Sequence, residues 1–306
     1  MRSFAVAQDD KEGNKMIKRK FTNLKHRKIC ITLLIIFTIT AAIAIAEEII
    51  EPMGYIRPDY EKSEIMDILN KELLSDDDYK ELFYQTGLGK VAIDEILNDK
   101  ELGRQNILKF QADFFKEYNI LCEEIAIIVS QESIVNDEEK PIYGFNLAPY
   151  ENGYILLTKA THSLGWRHGH AGIVTDAKNQ ATLEAVLLGT DTMLQDINKW
   201  RIYPSFMMLK LKDTSQETLD EIAEFAKNNM LGIPYGLTVG LSSKKNPTPD
   251  SIKTTQCSHV VWYPLMQFGY DTDSDGTWLV TPKDIANSNL FEIVQIYGVD
   301  PEEIWP

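Results

Sequence analysis

A change in hydrophobic pattern near residue 120 limits the fold more than any other feature of this sequence. Before it, residues 61–118 carry apolar side chains at helical spacing, with Ser75 ahead of three aspartates as a helix start and Gly87 as a break. After it come short strand-like runs separated by Gly, Asn, Asp and Pro, at residues 125–129, 154–157, 171–174, 183–188 and 206–211. The sequence therefore predicts helices first and strands second.

Two further helices are predicted among the strands. Residues 216–230 place apolar side chains on one face, and Gly232 lies just beyond their end. A second helix is predicted to begin near Cys257, where a polar turn gives way to an apolar run. We therefore predict an α+β fold in which a sheet packs against helices, preceded by a helical N-terminal lead-in.

An uncharged run of eighteen residues, 29–46, follows an N-terminal segment with nine Lys/Arg and three acids. The length is at the lower limit for crossing a bilayer, and the basic flank predicts that the N-terminus stays inside and the rest lies outside. This pattern predicts a single-pass membrane anchor. The alternative is a signal sequence cleaved after Ala46, which would give a secreted protein.

These features divide the chain into five predicted segments. They are a cytoplasmic basic segment (1–28), a transmembrane anchor or signal sequence (29–46), a tether (47–60), a helical subdomain (61–120) and a catalytic domain (121–306). Beyond residue 28 the chain has 22 basic and 43 acidic residues, a formal charge of −21. So acidic a body is not expected to bind nucleic acid.

The candidate chemistry lies at Cys257 and at His170, almost ninety residues earlier. A cysteine at a helix N-terminus feels the positive end of the helix dipole, which favours thiolate over thiol. A histidine beside it can take the proton and later return it. Of the other two cysteines, Cys30 lies in the apolar run, and the apolar surroundings of Cys122 predict a buried packing residue.

Six motifs in their order resemble the circularly permuted papain-like cysteine hydrolases of the NlpC type, the YaeF/YiiX group. They cover roughly residues 150–290 and comprise GYILL at 153–157, WRHGHAGIV at 166–174, TLEA at 182–185, GIPY at 232–235, QCS at 256–258 and VTPKD at 280–284. In that group histidine precedes cysteine, as it does here. The resemblance implies the permuted papain-like fold, Cys257 as nucleophile, His170 as base and Glu184 as its orienting partner. No cofactor is expected.

Weaker candidates surround this trio. Tyr235 and His168 are predicted to contact the substrate or its oxyanion. If His168 and His170 share one face of a strand, they could instead bind zinc with Cys257, Glu184 or His259. Residues 271–276 begin like a twelve-residue calcium loop. The twelfth residue of such a loop would be Pro282 instead of glutamate, so the run is interpreted as an acidic turn.

The expected function is that of an exported thiol hydrolase, an amidase or peptidase that acts on a peptide-like or acyl-amide substrate through an acyl-enzyme. Amide bonds in cell-wall peptides are the expected targets, because the domain is predicted to face outward. Two alternatives stay open: a lipid acyl hydrolase or acyltransferase on the same fold, and a non-catalytic binding module.

Overall fold

Up to Phe114, the regular secondary structure of the described residues is helical, and for residues 61–118 the apolar spacing predicts this. The computed structural model describes residues 27–42, 55–126, 129–163, 166–237, 239–241 and 243–305. Up to Phe114, these described residues form five helices: α1 (residues 27–42), α2 (Met66–Leu69), α3 (Asp76–Thr86), α4 (Lys90–Leu97) and α5 (Gly103–Phe114). Ser75 and Asp78 form a capping box at the start of α3, and Gly87 ends that helix at a positive φ of 70°.

The predicted membrane segment overlaps α1 in part. Across the described ranges, no helix combines the length and the apolar character needed to cross a bilayer. Residues 1–26 and 43–54, which hold most of the basic segment, the end of the apolar run and much of the tether, lie outside the described residues. Anchor and signal sequence thus both stay predictions.

In the described residues after these helices, the strands form two antiparallel sheets. The smaller has the order β1-β2-β4, and the larger has the order β7-β6-β5-β3-β8-β9. The strands are β1 (Asn119–Ala126), β2 (Val129–Val135), β3 (Ile155–Thr158), β4 (Thr161–Ser163), β5 (His170–Asp176), β6 (Ala181–Glu184), β7 (Met193–Asp196), β8 (Phe206–Leu211) and β9 (Phe291–Tyr297). Helices and antiparallel sheets together make the chain α+β, as predicted.

Three more helices cover the larger sheet near its centre. They are α6 (Gln216–Met230), α7 (Cys257–Gln267) and α8 (Pro282–Ala286), and α6 and α7 both pack on β5. All of α7 from Cys257 through Leu265 is buried. Because β5 is flanked by β3 and β6 and covered by two helices, its side chains lie in the core.

Three local predictions are wrong. Residues 125–129 are not one strand, because β1 ends at Ala126 and β2 begins at Val129. The predicted run 183–188 is shorter, since β6 ends at Glu184. Cys122 is exposed rather than buried, because β1 is the edge strand of the smaller sheet; its sulfur lies 3.4 Å from Nε2 of His162.

Candidate active site

Cys257 is the first residue of α7. Gln256 precedes the helix in an extended conformation, and its side chain donates to the Val280 carbonyl (3.2 Å) instead of capping the helix. The backbone N–H groups of the first turn therefore remain available as donors next to the sulfur. The segment before Cys257 is fixed by two backbone hydrogen bonds, Thr255 N–H to Pro234 (3.0 Å) and Gly236 N–H to Thr255 (2.8 Å).

His170 is the first residue of β5, the strand on which α7 packs. His170 is 6% exposed, and its imidazole lies close enough to Cys257 for the two groups to influence each other electrostatically. Nε2 meets Oε2 of Glu184 at 2.6 Å, which leaves Nδ1 as the nitrogen for the sulfur. Gly169, the residue before it, has a φ of +70°, and a Cβ there would lie 2.5 Å from the Thr158 carbonyl oxygen, so the backbone before His170 requires glycine.

Glu184 ends β6 beside β5, and its carboxylate is completely buried. Each oxygen has two partners. Oε1 accepts from Thr182 Oγ1 (2.6 Å) and Trp200 Nε1 (3.1 Å), while Oε2 faces His170 Nε2 and Lys199 Nζ, both at 2.6 Å. Such a set of donors allows a charged carboxylate to remain in the core.

The surroundings of His170 and Glu184 favour a protonated imidazole and an ionised carboxylate. Burial opposes protonation of His170, but the neighbouring Cys257 and Glu184 outweigh it and raise its pKa to about 9. Burial also opposes ionisation of Glu184, yet Lys199 and His170 overcome that cost and lower its pKa to about 2. The Trp200 ring stacks on the imidazole, with centroids 5.3 Å apart and planes 14° apart, and this further fixes its orientation.

The structure thus brings Cys257, His170 and Glu184 together, and we call these three residues the triad. Tyr235 lies next to it: its backbone pairs with Thr255, and burial and the charge of Cys257 raise the pKa of its hydroxyl.

His168 lies differently, since its Nε2 meets Ser163 Oγ at 2.9 Å and its Nδ1 meets the Gly169 carbonyl at 2.8 Å. Its ring nitrogens are therefore engaged away from the sulfur. The prediction that His168 and His170 share one strand face is wrong. Gly169, at positive φ, interrupts the extended backbone, and β5 begins only at His170.

His259, a possible zinc ligand in the alternative interpretation, already uses both ring nitrogens in hydrogen bonds. Its Nδ1 meets Thr255 Oγ1 and its Nε2 meets the Lys245 carbonyl, both at 2.8 Å, and burial lowers its pKa to about 4. This histidine is therefore neutral and structural.

In the described part of the chain, one group of three His, Cys, Asp or Glu residues has metal-ligand spacing: Asp273, Asp275 and Asp284, with ligand atoms within 4.8 Å of one another. Two of these acids already have structural partners. Asp284 caps α8 with Thr281, and Asp273 pairs with Lys245. The group contains no member of the triad.

Three partners of Glu184, namely Thr182, Lys199 and Trp200, were not predicted from the sequence. Thr182 offered a signal, because residues two apart in a strand point to the same face. Lys199 and Trp200 offered none, since they follow β7 in a 3-10 turn, Ile197–Ile202, which folds back onto β6.

No family model and no curated protein sequence matches this chain. Among solved structures, it is similar to a crystal structure described as the metalloprotein YiiX (DUF1105) of Escherichia coli O157:H7. The two chains are 15% identical with a TM-score of 0.37, and the match covers 47% of this chain and 96% of the other.

Proposed function

We propose that this chain is a cysteine hydrolase of the permuted papain-like kind, which acts through an acyl-enzyme on amide bonds. One observation carries the proposal: a thiol at a helix start lies beside an imidazole whose Nε2 meets a buried carboxylate at 2.6 Å. A nucleophile, a base and a group that orients the base are the parts that nucleophilic acyl transfer needs.

In the first half of the proposed reaction, the Cys257 sulfur forms a bond to the carbonyl carbon of the substrate. The imidazolium of His170 gives its proton to the amide nitrogen as the carbon–nitrogen bond breaks, and the amine leaves. In the second half, water gives a proton to His170 and adds to the carbonyl carbon. The carbon–sulfur bond then breaks, which restores the thiolate and the imidazolium and releases the acid.

The oxyanion formed in both halves needs hydrogen-bond donors. The backbone N–H groups at the start of α7 supply the first, because Gln256 leaves them uncapped. Tyr235 supplies a second, since its hydroxyl lies close enough to feel the Cys257 charge and its raised pKa keeps the proton in place. His168 is not part of this arrangement.

Cell-wall peptides are the proposed substrate class, and the outer face of a cell membrane is the proposed location. The support is the charge pattern of the sequence, with a basic segment ahead of an uncharged run of eighteen residues. Nucleic acid is not proposed as a partner, because the body of the chain is strongly acidic.

A second candidate is hydrolysis or transfer of an acyl group carried by a lipid. The observation that favours it is a set of exposed apolar side chains on three loops, between β6 and β7, between α6 and α7, and between α7 and α8: Leu188, Leu231, Leu237, Leu241 and Trp278, the last 74% exposed. A backbone hydrogen bond from Tyr235 N–H to Thr190 (2.9 Å) joins the first two loops, and one from Gly236 N–H to Thr255 (2.8 Å) holds the second loop beside the start of α7. Thiolate chemistry serves both substrate classes.

The first test measures the reactivity of Cys257 with iodoacetamide across pH, quantified on the Cys257 peptide by mass spectrometry. We expect the folded protein to react at pH 6 well above the rate of its urea-unfolded chain, and His170→Ala to lose this advantage. Equal rates in folded and unfolded protein, unchanged by His170→Ala, would remove the nucleophile assignment.

The second test identifies the substrate by incubating the protein with purified peptidoglycan and, separately, with vesicles that contain acylated lipid. New amino and carboxyl groups in peptidoglycan support the amidase, and released fatty acid supports the lipid candidate. Cys257→Ala should abolish either product, while Cys122→Ala, the matched cysteine on the edge strand β1, should retain it. A reactive Cys257 without product from either source would favour a binding module.

A further inference from the structure

Two cations share one oxygen of Glu184. Lys199 Nζ and His170 Nε2 both lie 2.6 Å from Oε2, and the carboxylate has no exposed surface. The Lys199 side chain is 23% exposed, so its stem is largely covered while its head reaches inward to the carboxylate. Trp200, the next residue, is fully buried and donates to the other oxygen, which fixes the 3-10 turn that carries both.

The reactive state of the triad holds two anions and one cation. When Cys257 is a thiolate and His170 an imidazolium, the Glu184 carboxylate is a second negative charge in the same buried site. A net charge away from water is costly, so this state would be disfavoured if the triad were alone. Lys199 is the second cation, and with it the charges of the four groups cancel.

The other titratable groups that face the triad do not supply this charge. They are Tyr203, whose pKa is raised by burial and by Glu184, Tyr235, whose pKa is raised by burial and by Cys257, and His168, whose pKa is lowered by burial. All three are neutral near pH 7. Among the described residues, the positive charge that Glu184 meets besides His170 is therefore that of Lys199.

We infer that Lys199 is a positioning residue that balances the charge of Glu184 and thereby lets the Cys257 thiolate and the His170 imidazolium coexist. The inference rests on the thiol chemistry proposed above and adds a fourth member to the site. Lys199 acts through Glu184 and does not touch the reacting atoms.

The experiment records the alkylation rate of Cys257 against pH for the full chain and its variants, and compares the pH at half-maximal rate. An opposite charge in direct contact shifts a titration by about one to three units, and Lys199 contacts Glu184 rather than the sulfur. We therefore expect Lys199→Met to raise the midpoint by up to about one unit, and Lys199→Arg to restore most of it. Lys210→Met is the matched control, because Lys210 has the same 23% exposure and pairs with Glu292 on β9.

A double variant tests the charge balance itself. Glu184→Gln combined with Lys199→Met removes one anion and one cation, so the thiolate–imidazolium state is again neutral. Its midpoint should lie below that of Lys199→Met alone. The double variant also covers the case in which Lys199→Met does not fold, because replacing both members of a buried ion pair is better tolerated than removing one.

Three outcomes overturn the inference: an unmoved or lowered midpoint in folded Lys199→Met, an equal rise in Lys210→Met, or a double variant whose midpoint is as high as that of the unfolded chain. If the wild-type midpoint already equals that of the unfolded chain, the proposed thiol chemistry and the inference both fail. A low wild-type midpoint that Lys199→Met leaves unmoved removes only the assignment of Lys199.

Discussion

Replacing Thr182 by valine should destabilise the protein through a single lost hydrogen bond. Thr182 is fully buried on β6, and its Oγ1 donates to Oε1 of Glu184 at 2.6 Å. Valine has nearly the same shape, so the substitution leaves no cavity but leaves a buried carboxylate oxygen with one donor fewer. Hydrogen bonds to charged groups contribute about 1.5–3 kcal/mol, and we expect a loss of about 2 kcal/mol at pH 7. The folding equilibrium would change about 30-fold.

Thr175 provides the matched control. It is buried on the neighbouring strand β5, and in the described part of the chain its Oγ1 has no hydrogen-bond partner. Thr175→Val removes a buried polar group that gains nothing in the fold, so stability should stay equal or rise. The assay is urea unfolding followed by circular dichroism, with the free energy of unfolding compared between the two variants.

The pH dependence of the Thr182→Val effect gives a second check. Folding lowers the pKa of Glu184 to about 2, because Lys199 and His170 overcome the cost of its burial. The stability gained from the ionised carboxylate is therefore present above about pH 4.3, the ordinary glutamate value, and is lost as the pH falls through about 2. The penalty of Thr182→Val should shrink over that window. Equal losses in Thr182→Val and Thr175→Val, at every pH, would refute the charge-assisted bond.

Two further predictions concern the same site. Folding raises the pKa of His170 from about 6.5 to about 9, so this stabilisation is complete below about pH 6.5 and is lost as the pH rises through about 9. Urea titrations should show that decline, and His170→Gln should remove it; a decline that persists in the variant would assign it elsewhere. In Gly172→Ala, the new Cβ would lie 2.9 Å from Glu184 Cγ and from Trp200 Cζ2. We expect a loss of about 1–3 kcal/mol and slower Cys257 alkylation at pH 6, whereas unchanged alkylation would show that the triad tolerates the shift.

The sequence predicted the helices well, because their signals are local. The capping residues Ser75 and Asp78 begin α3, and Gly87 ends it at positive φ. The helix predicted over residues 216–230 is observed as Gln216–Met230, and the helix predicted near Cys257 begins at that residue. Caps and apolar periodicity depend on neighbours within a few residues, so the sequence alone contains them.

Exposure and side-chain direction needed the tertiary structure. Cys122 has apolar sequence neighbours, yet it is exposed because β1 forms the edge of its sheet. His168 and His170 are two apart, yet Gly169 breaks the strand between them, so the expected shared face does not form. Strand order and the start of a strand are set by long-range pairing, which a local pattern does not define.

The sequence by itself determined the residue types of the triad and their order, with a histidine ahead of a cysteine at a predicted helix start. The tertiary structure alone decided what surrounds Glu184. Lys199 and Trp200 reach the carboxylate because the chain turns after β7 and folds back onto β6. They lie fifteen and sixteen residues after Glu184 in the sequence. Burial of a charge requires such partners, and where they come from depends on how distant segments pack.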